Sequence, residues 1–135
     1  MKPQHEIIIC VDDEKSILEG LQQQLSRAFG DQFILEFAQS GEEALELIEE
    51  LHHEDMSVAF VITDQMMSGM NGNELIKHIA TASPMTKCIL LTGYTDTKVI
   101  DNLKEANLVG CLNKPWDRDE LIETIRSSCK TLTNY

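Results

Sequence analysis

The spacing of apolar residues changes in a regular alternation along the chain. Ile7-Ile8-Ile9-Cys10-Val11 is a continuous, mostly β-branched run, the pattern of a strand covered on both faces. From Lys15 to Phe29 the apolar residues Ile17, Leu18, Leu21, Leu25, Ala28 and Phe29 recur at helical spacing. Glu19, Gln22, Gln23 and Arg27 fall between them, so an amphipathic helix is predicted, stopped near Gly30. Phe33 to Ala38 predicts a second strand, and Ser40 with Glu43 is a capping-box pattern opening a helix through Ala44, Leu45, Leu47, Ile48 and Leu51. Val58 to Thr63 predicts a third strand, which delivers Asp64 to a Gly- and Asn-bearing loop. A shorter helix from Asn73 to Thr81 turns Leu75, Ile76 and Ile79 inward and is terminated by Pro84. Cys88 to Thr92 is a fourth strand. After Gly93-Tyr94 a helix is predicted from about Thr95 to Asn107, then a short fifth strand, Leu108 to Leu112, interrupted by Gly110. Asp117 with Glu120 repeats the capping pattern and starts a last helix with Leu121, Ile122, Ile125 and Cys129 facing in.

Five strands alternating with five helices predict a doubly wound α/β domain with a parallel sheet, whose right-handed crossovers bring every strand's carboxyl end to one edge. The length of 135 residues and 42% hydrophobic content suit one domain over 1–135, and no linker, repeat or output domain is read in the chain. The formal charge of -12 argues against direct nucleic-acid binding and points to metal cations and other proteins as partners. Cys10, Cys88, Cys111 and Cys129 are scattered without metal-ligand spacing and read as reduced core thiols. His5, His52, His53 and His78 read as surface residues. With no membrane-length apolar run and no signal-peptide pattern, a cytoplasmic protein is expected.

Charge then singles out the carboxyl edge. The expected strand ends carry Asp12 with Asp13, then Asp64, Thr92, and Lys114 with Pro115. Ligands of open α/β sheets bind at this edge. Three carboxylates a few ångströms apart repel one another, each pair by about 4 kcal/mol at ~4 Å and an effective dielectric near ~20, so the cluster needs a cation. Oxygen-only ligands favour a hard ion such as Mg²⁺, or Mn²⁺ in its place. A metal, the Lys114 ammonium and the Thr92 hydroxyl together suit phosphoryl transfer to a carboxylate, with Asp64 attacking.

The Val11-Asp12-Asp13-Glu14 run, the Thr63 to Gly72 loop, Leu91-Thr92-Gly93-Tyr94 and Leu112-Asn113-Lys114-Pro115-Trp116 resemble the receiver domains of two-component response regulators. The resemblance covers nearly the whole chain. It implies a flavodoxin-like sheet of order 2-1-3-4-5 and a phosphorylation-controlled signalling module, catalysing only its own phosphorylation and dephosphorylation. Its phosphoryl donor would be a sensor histidine kinase or a histidine phosphotransfer protein. Asp64 would be the phosphoacceptor, Asp13 a direct Mg²⁺ ligand, Asp12 an acid acting through metal-bound water, and Met66 a ligand through its backbone carbonyl. Thr92 and Lys114 would hold the phosphoryl oxygens, and Lys114-Pro115 would be cis. Asp64 is expected to be the one acid of the cluster between the metal and Lys114. The face of the last two helices and the fifth strand would meet a partner, an attached output domain or a second copy.

Four positions depart from the family pattern or flank the expected phosphoryl position. Ser68 stands where a proline is common, a change expected to loosen the loop without touching chemistry. Cys111 stands where receivers usually carry an aromatic switch residue, and reads as inert strand packing. Met66 and Tyr94 are bulky neighbours expected to slow phosphate loss. Three competing readings fit less well. A haloacid-dehalogenase phosphatase wants a second Asp at the position of Met66, a nucleotide-binding protein wants a Gly-rich loop where Asp12-Asp13-Glu14 stands, and an unphosphorylated receiver-like module would be expected to lack part of the cluster.

Overall fold

In a computed structural model of the chain, residues 6–93, 103 and 106–133 are described, with side chains as far as residue 129. The elements are β1 (Glu6–Val11), α1 (Lys15–Phe29), a 3-10 turn (Gly30–Gln32), β2 (Phe33–Ala38), α2 (Gly41–His53), β3 (Ser57–Asp64), α3 (Gly72–Ala82), β4 (Lys87–Thr92), β5 (Leu108–Asn113) and α4 (Arg118–Thr133). All strand pairs are parallel, in the order β2-β1-β3-β4-β5. Among the described residues there are four α-helices. The helix expected from about Thr95 to Asn107, and Tyr94 before it, lie outside the described residues apart from 103, 106 and 107.

The continuous apolar runs divide between two layers because successive strand side chains point to opposite faces. Ile7, Ile9, Val11 and Val61 face Ala44 and Ile48 of α2 and Leu75, Ile76 and Ile79 of α3. Ile8, Cys10, Phe60 and Ile62 face Leu18, Leu21 and Leu25 of α1 and Leu121 and Ile125 of α4. Both faces being covered, no position in the middle of β1 or β3 is free to be polar.

Capping residues fix where the helices begin, and so how the loops at the carboxyl edge are aimed. Ser40 Oγ accepts from the Glu43 N–H at 3.0 Å, as the capping pattern predicts. The return bond differs: Glu43 Oε1 accepts from Gln39 N–H at 2.5 Å, one residue before the cap. At α3 the Asn71 N–H donates to Glu74 Oε1 at 3.0 Å. At α4 Asp117 Oδ1 accepts from the N–H groups of Asp119 and Glu120, at 2.8 and 3.3 Å.

Gly110 does not interrupt β5, which runs on to Asn113. The pairing with β4 slips by a residue just before Gly110, and a Cβ there would come within 2.8 Å of Thr124 Cγ2 on α4. The glycine permits close approach of helix to strand rather than ending the strand. His52, His53 and His78 are exposed, as expected, and His5 lies outside the described residues. Burial pushes the thiols of Cys10 and Cys88 up to about 12, and that of Cys111 also upward, so all three are poor nucleophiles. Among the described residues no helix is long and apolar enough to cross a membrane.

Ile62 is fully buried at the centre of β3, whereas Met85 is 82% exposed. Ile62→Ala should cost about 3 kcal/mol of unfolding free energy in urea, and Met85→Ala under about 0.5 kcal/mol. Equal midpoints for the two variants would contradict this two-layer core.

Candidate functional site

Strands β1 and β3 are neighbours, so their carboxyl ends place Asp12 and Asp64 side by side. Asp13 follows on the open side. One carboxylate oxygen from each of Asp12, Asp13 and Asp64 lies within 4.8 Å of the others. Asp12 is fully buried, Asp64 nearly so, and Asp13 exposed. Strand β5 brings Lys114 from the far side of β4, where its N–H donates to the Thr92 carbonyl at 2.8 Å. The Lys114 ammonium donates to Asp12 Oδ2 at 3.0 Å and lies 3.3 Å from Asp64 Oδ2. Thr92 is buried at the end of β4. The structure therefore gathers Asp12, Asp13, Asp64, Thr92 and Lys114 at one edge. Met66 is nearby in sequence, but its side chain is 70% exposed.

Lys114 has two acid partners rather than Asp64 alone, and Asp12 is the nearer of them. What separates the two is access. Asp12 Oδ1 accepts the Glu14 N–H at 2.9 Å, its Oδ2 takes the ammonium, and its side chain has no solvent exposure, whereas 7% of the Asp64 side chain remains accessible.

Electrostatically the cluster is short of cations. Each carboxylate pair, with oxygens at 4.8 Å or less, repels by at least about 3.5 kcal/mol at an effective dielectric of ~20, and the Lys114 ammonium is the one cation paired with these acids among the described residues. Burial and the Asp12 charge raise the Asp64 pKa, against the opposing pull of Lys114. Burial pulls the Lys114 pKa down, but its bonds to Asp12 and the charges of Asp12 and Asp64 outweigh this and leave it raised. An all-oxygen donor set with excess negative charge fits a hard divalent cation.

The loop after Asp64 carries details that the sequence reading missed. Gln65 N–H donates to the Leu91 carbonyl at 2.9 Å, and its side-chain amide pairs with Asn73 in both directions, at 2.8 and 3.0 Å. These bonds fix the loop's two ends against each other. Gly72 packs so closely that a Cβ would overlap the Asp64 carbonyl oxygen and press on Gln65 Cα. Ser68 does touch the chemistry after all, since its N–H lies 3.4 Å from Asp13 Oδ2, a contact that a proline cannot make. The Lys114-Pro115 bond is cis, as the resemblance implied.

A family model described as the response regulator receiver domain matches residues 8–126. The chain belongs to the receiver family. It is similar to the sensor kinase CckA of Brucella abortus, 31% identical over 88% of this chain and 12% of that protein. The hydrogenase transcriptional regulatory protein HoxA of Cupriavidus necator is 30% identical over 95% of this chain and 25% of its own length. This receiver thus spans a quarter or less of those curated relatives. Among solved structures, the signal receiver domain of an HD domain-containing protein from Pseudomonas fluorescens shares 32% identity at a TM-score of 0.81, covering 98% of this chain and 100% of that one. A CheY-like receiver from Methanospirillum hungatei aligns with a TM-score of 0.78 at 25% identity, over 93% of this chain and 94% of that one. Receiver domains of two-component systems take up a phosphoryl group and generally bind Mg²⁺ in an acidic pocket.

Because the Gly72 clash is with backbone, Gly72→Ala should destabilise the fold by about 2 kcal/mol or more. It should also weaken divalent-cation binding by displacing Asp64. Calorimetric titration with Mg²⁺ beside urea unfolding checks this, and wild-type values in both would contradict the steric reading.

Proposed function

We propose that this receiver accepts a phosphoryl group on Asp64 in a Mg²⁺-dependent reaction. The observation that carries the reading is that the Asp64 carboxylate, the more accessible of the two acids on Lys114, lies 3.3 Å from the ammonium and has an oxygen within 4.8 Å of oxygens of Asp12 and Asp13. Asp12, Asp13, Asp64 and the Met66 carbonyl would hold the ion, which supplies positive charge against the carboxylates and the phosphoryl oxygens. Mn²⁺ has the same ligand preferences and would substitute. The donor is a phosphohistidine on a sensor kinase or phosphotransfer protein. An Asp64 oxygen forms the new O–P bond as the histidine N–P bond breaks and the imidazole leaves. Lys114 and Thr92 receive the phosphoryl oxygens, neutralising charge and fixing their direction.

Phosphorylation replaces the single negative charge of the Asp64 carboxylate with a group carrying close to two, beside an ammonium that Asp12 and Asp64 now share. Drawing Lys114 and Thr92 toward the phosphoryl group re-aims the ends of β5 and β4, and with them the face of β5, α4 and the helix expected before β5. We assign that face to the partner, attached output domain or second copy that reads the signal. Such a signalling role fits the cytoplasm. Met66 carries no water-orienting group, which favours slow phosphate loss. The phosphatase alternative has no acid where it needs one, since that position is the exposed Met66.

Incubation with acetyl phosphate and Mg²⁺ should add one acid-labile phosphate, detected by intact-mass spectrometry, and Asp64→Asn should abolish it. Asp13→Ala should lower Mg²⁺ affinity about tenfold and slow labelling in proportion. Labelling of Asp64→Asn at the wild-type rate would move the site elsewhere, Asp12 being the first candidate.

A further inference from the structure

Outside the carboxyl edge, the most unusual charge arrangement concerns arginine. The chain has three arginines, Arg27, Arg118 and Arg126, and all three line one cleft of about 410 Å³ between α1 and α4. Ala28 and Ile122 lie among them.

The helices themselves do not account for all three. Arg27 sits in the last turn of α1, where a cation suits the helix dipole. Arg118 is the first residue of α4, the end at which a cation opposes the dipole. Its pairing with Asp119 Oδ1 at 3.4 Å joins side chains 62% and 85% exposed, and surface pairs of this kind contribute little. Arg126 lies over the Phe29 ring at 5.7 Å, which holds its guanidinium toward α1. The chain carries 23 acidic residues, yet among the described residues neither Arg27 nor Arg126 forms an ion pair.

Spacing decides what such a cleft takes. The backbone positions of Arg118 and Arg126 are about 12 Å apart along the axis of α4 at ~1.5 Å rise per residue, and Arg27 is on the facing helix, so the positive charge is strung along the cleft. An elongated ligand with separated anionic groups matches that spread. A polyanion such as a nucleic acid would meet the repulsion of a chain at -12, whereas a short acidic segment brings few charges and an apolar body. Carboxylates match the planar guanidinium fork, and Ala28 and Ile122 offer contact to an apolar residue between them.

We propose that the α1–α4 cleft docks a short acidic segment of a partner protein, carboxylates on the arginines and an apolar side chain between them. The α4 residues of this cleft, Arg118, Ile122 and Arg126, are other than those that share a pocket with Val109 of β5, which include Glu120, Glu123 and Thr124. Trp116, whose Nε1–H donates to Gln24 Oε1 at 2.8 Å, is a reporter at the cleft, because Gln24 is one of its walls.

The probe is an alanine-based helical peptide with glutamates two turns apart on either side of a leucine, titrated while Trp116 fluorescence is followed. Saturable binding should weaken with added salt, and a twin peptide with glutamine for glutamate should bind about tenfold more weakly. Arg118→Glu/Arg126→Glu should lose binding while circular dichroism and acetyl phosphate labelling stay unchanged. Arg118→Gln/Arg126→Gln carries the same test if charge reversal unfolds the chain. Equal binding of the two peptides, or wild-type binding by the folded variants, would overturn the proposal. So would tighter binding of a single-stranded oligonucleotide, which would indicate a polyanion site. Concentration-dependent self-association abolished by the same variants would also overturn it, in favour of a second copy.

Discussion

Three carboxylates crowded at one edge of a sheet are an electrostatic load that a fold keeps only with compensation. Here Asp12 lies wholly out of solvent, with one oxygen on a backbone N–H and the other on the Lys114 ammonium. An unpaired carboxylate at that depth would cost several kcal/mol. Lys114 is therefore structural: it spans Asp12 and Asp64 and joins β5 to the two strands that carry them. In the function proposed above, the same ammonium is the group that an arriving phosphoryl recruits. Anything drawing it from Asp12 must supply other positive charge near that acid, which is a physical reason for metal and phosphoryl group to act together.

The sheet order is what makes this economy of charge available. With β1 and β3 adjacent, their terminal acids meet without any long side chain reaching across, and with β5 two strands away from β3, a lysine is long enough to bridge the gap. The two buried layers hold the strands in register, and the caps at Ser40, Asn71 and Asp117 begin the helices close to the same edge. Chemistry at the edge thus rests on a rigid frame, while the bonds of Gln65 with Leu91 and Asn73 restrain the loop that follows Asp64.

Much of this was legible in the residues. The β-branched runs, the helical spacing of Leu18, Leu21 and Leu25, and the acids at strand ends specified the elements and the edge, because periodicity and local capping report directly on burial and chain direction. What the residues did not disclose depends on distances between segments. Gly110 reads as a strand breaker in isolation and is instead a place where α4 comes close to β5. Gly72 is needed because the loop folds back on the Asp64 carbonyl, and Ser68 matters through its backbone N–H rather than its hydroxyl. Asp12 reaches Lys114 directly, a contact that the residues alone did not announce. The three arginines are far apart along the chain, and only the packing of α1 on α4 makes them neighbours.

In the proposed function, the acid cluster and Lys114 form one site for a cation and a phosphoryl group. Amide spectra of ¹⁵N-labelled protein, recorded with Mg²⁺ alone, with beryllofluoride alone and with both, test it directly, since beryllofluoride mimics an aspartyl phosphate. Mg²⁺ alone should move resonances around Asp12 and Asp13. Both together should produce saturable shifts at Asp64, Thr92 and Lys114 that beryllofluoride without Mg²⁺ does not. Shifts independent of Mg²⁺, or none at Thr92 and Lys114, would contradict a shared site.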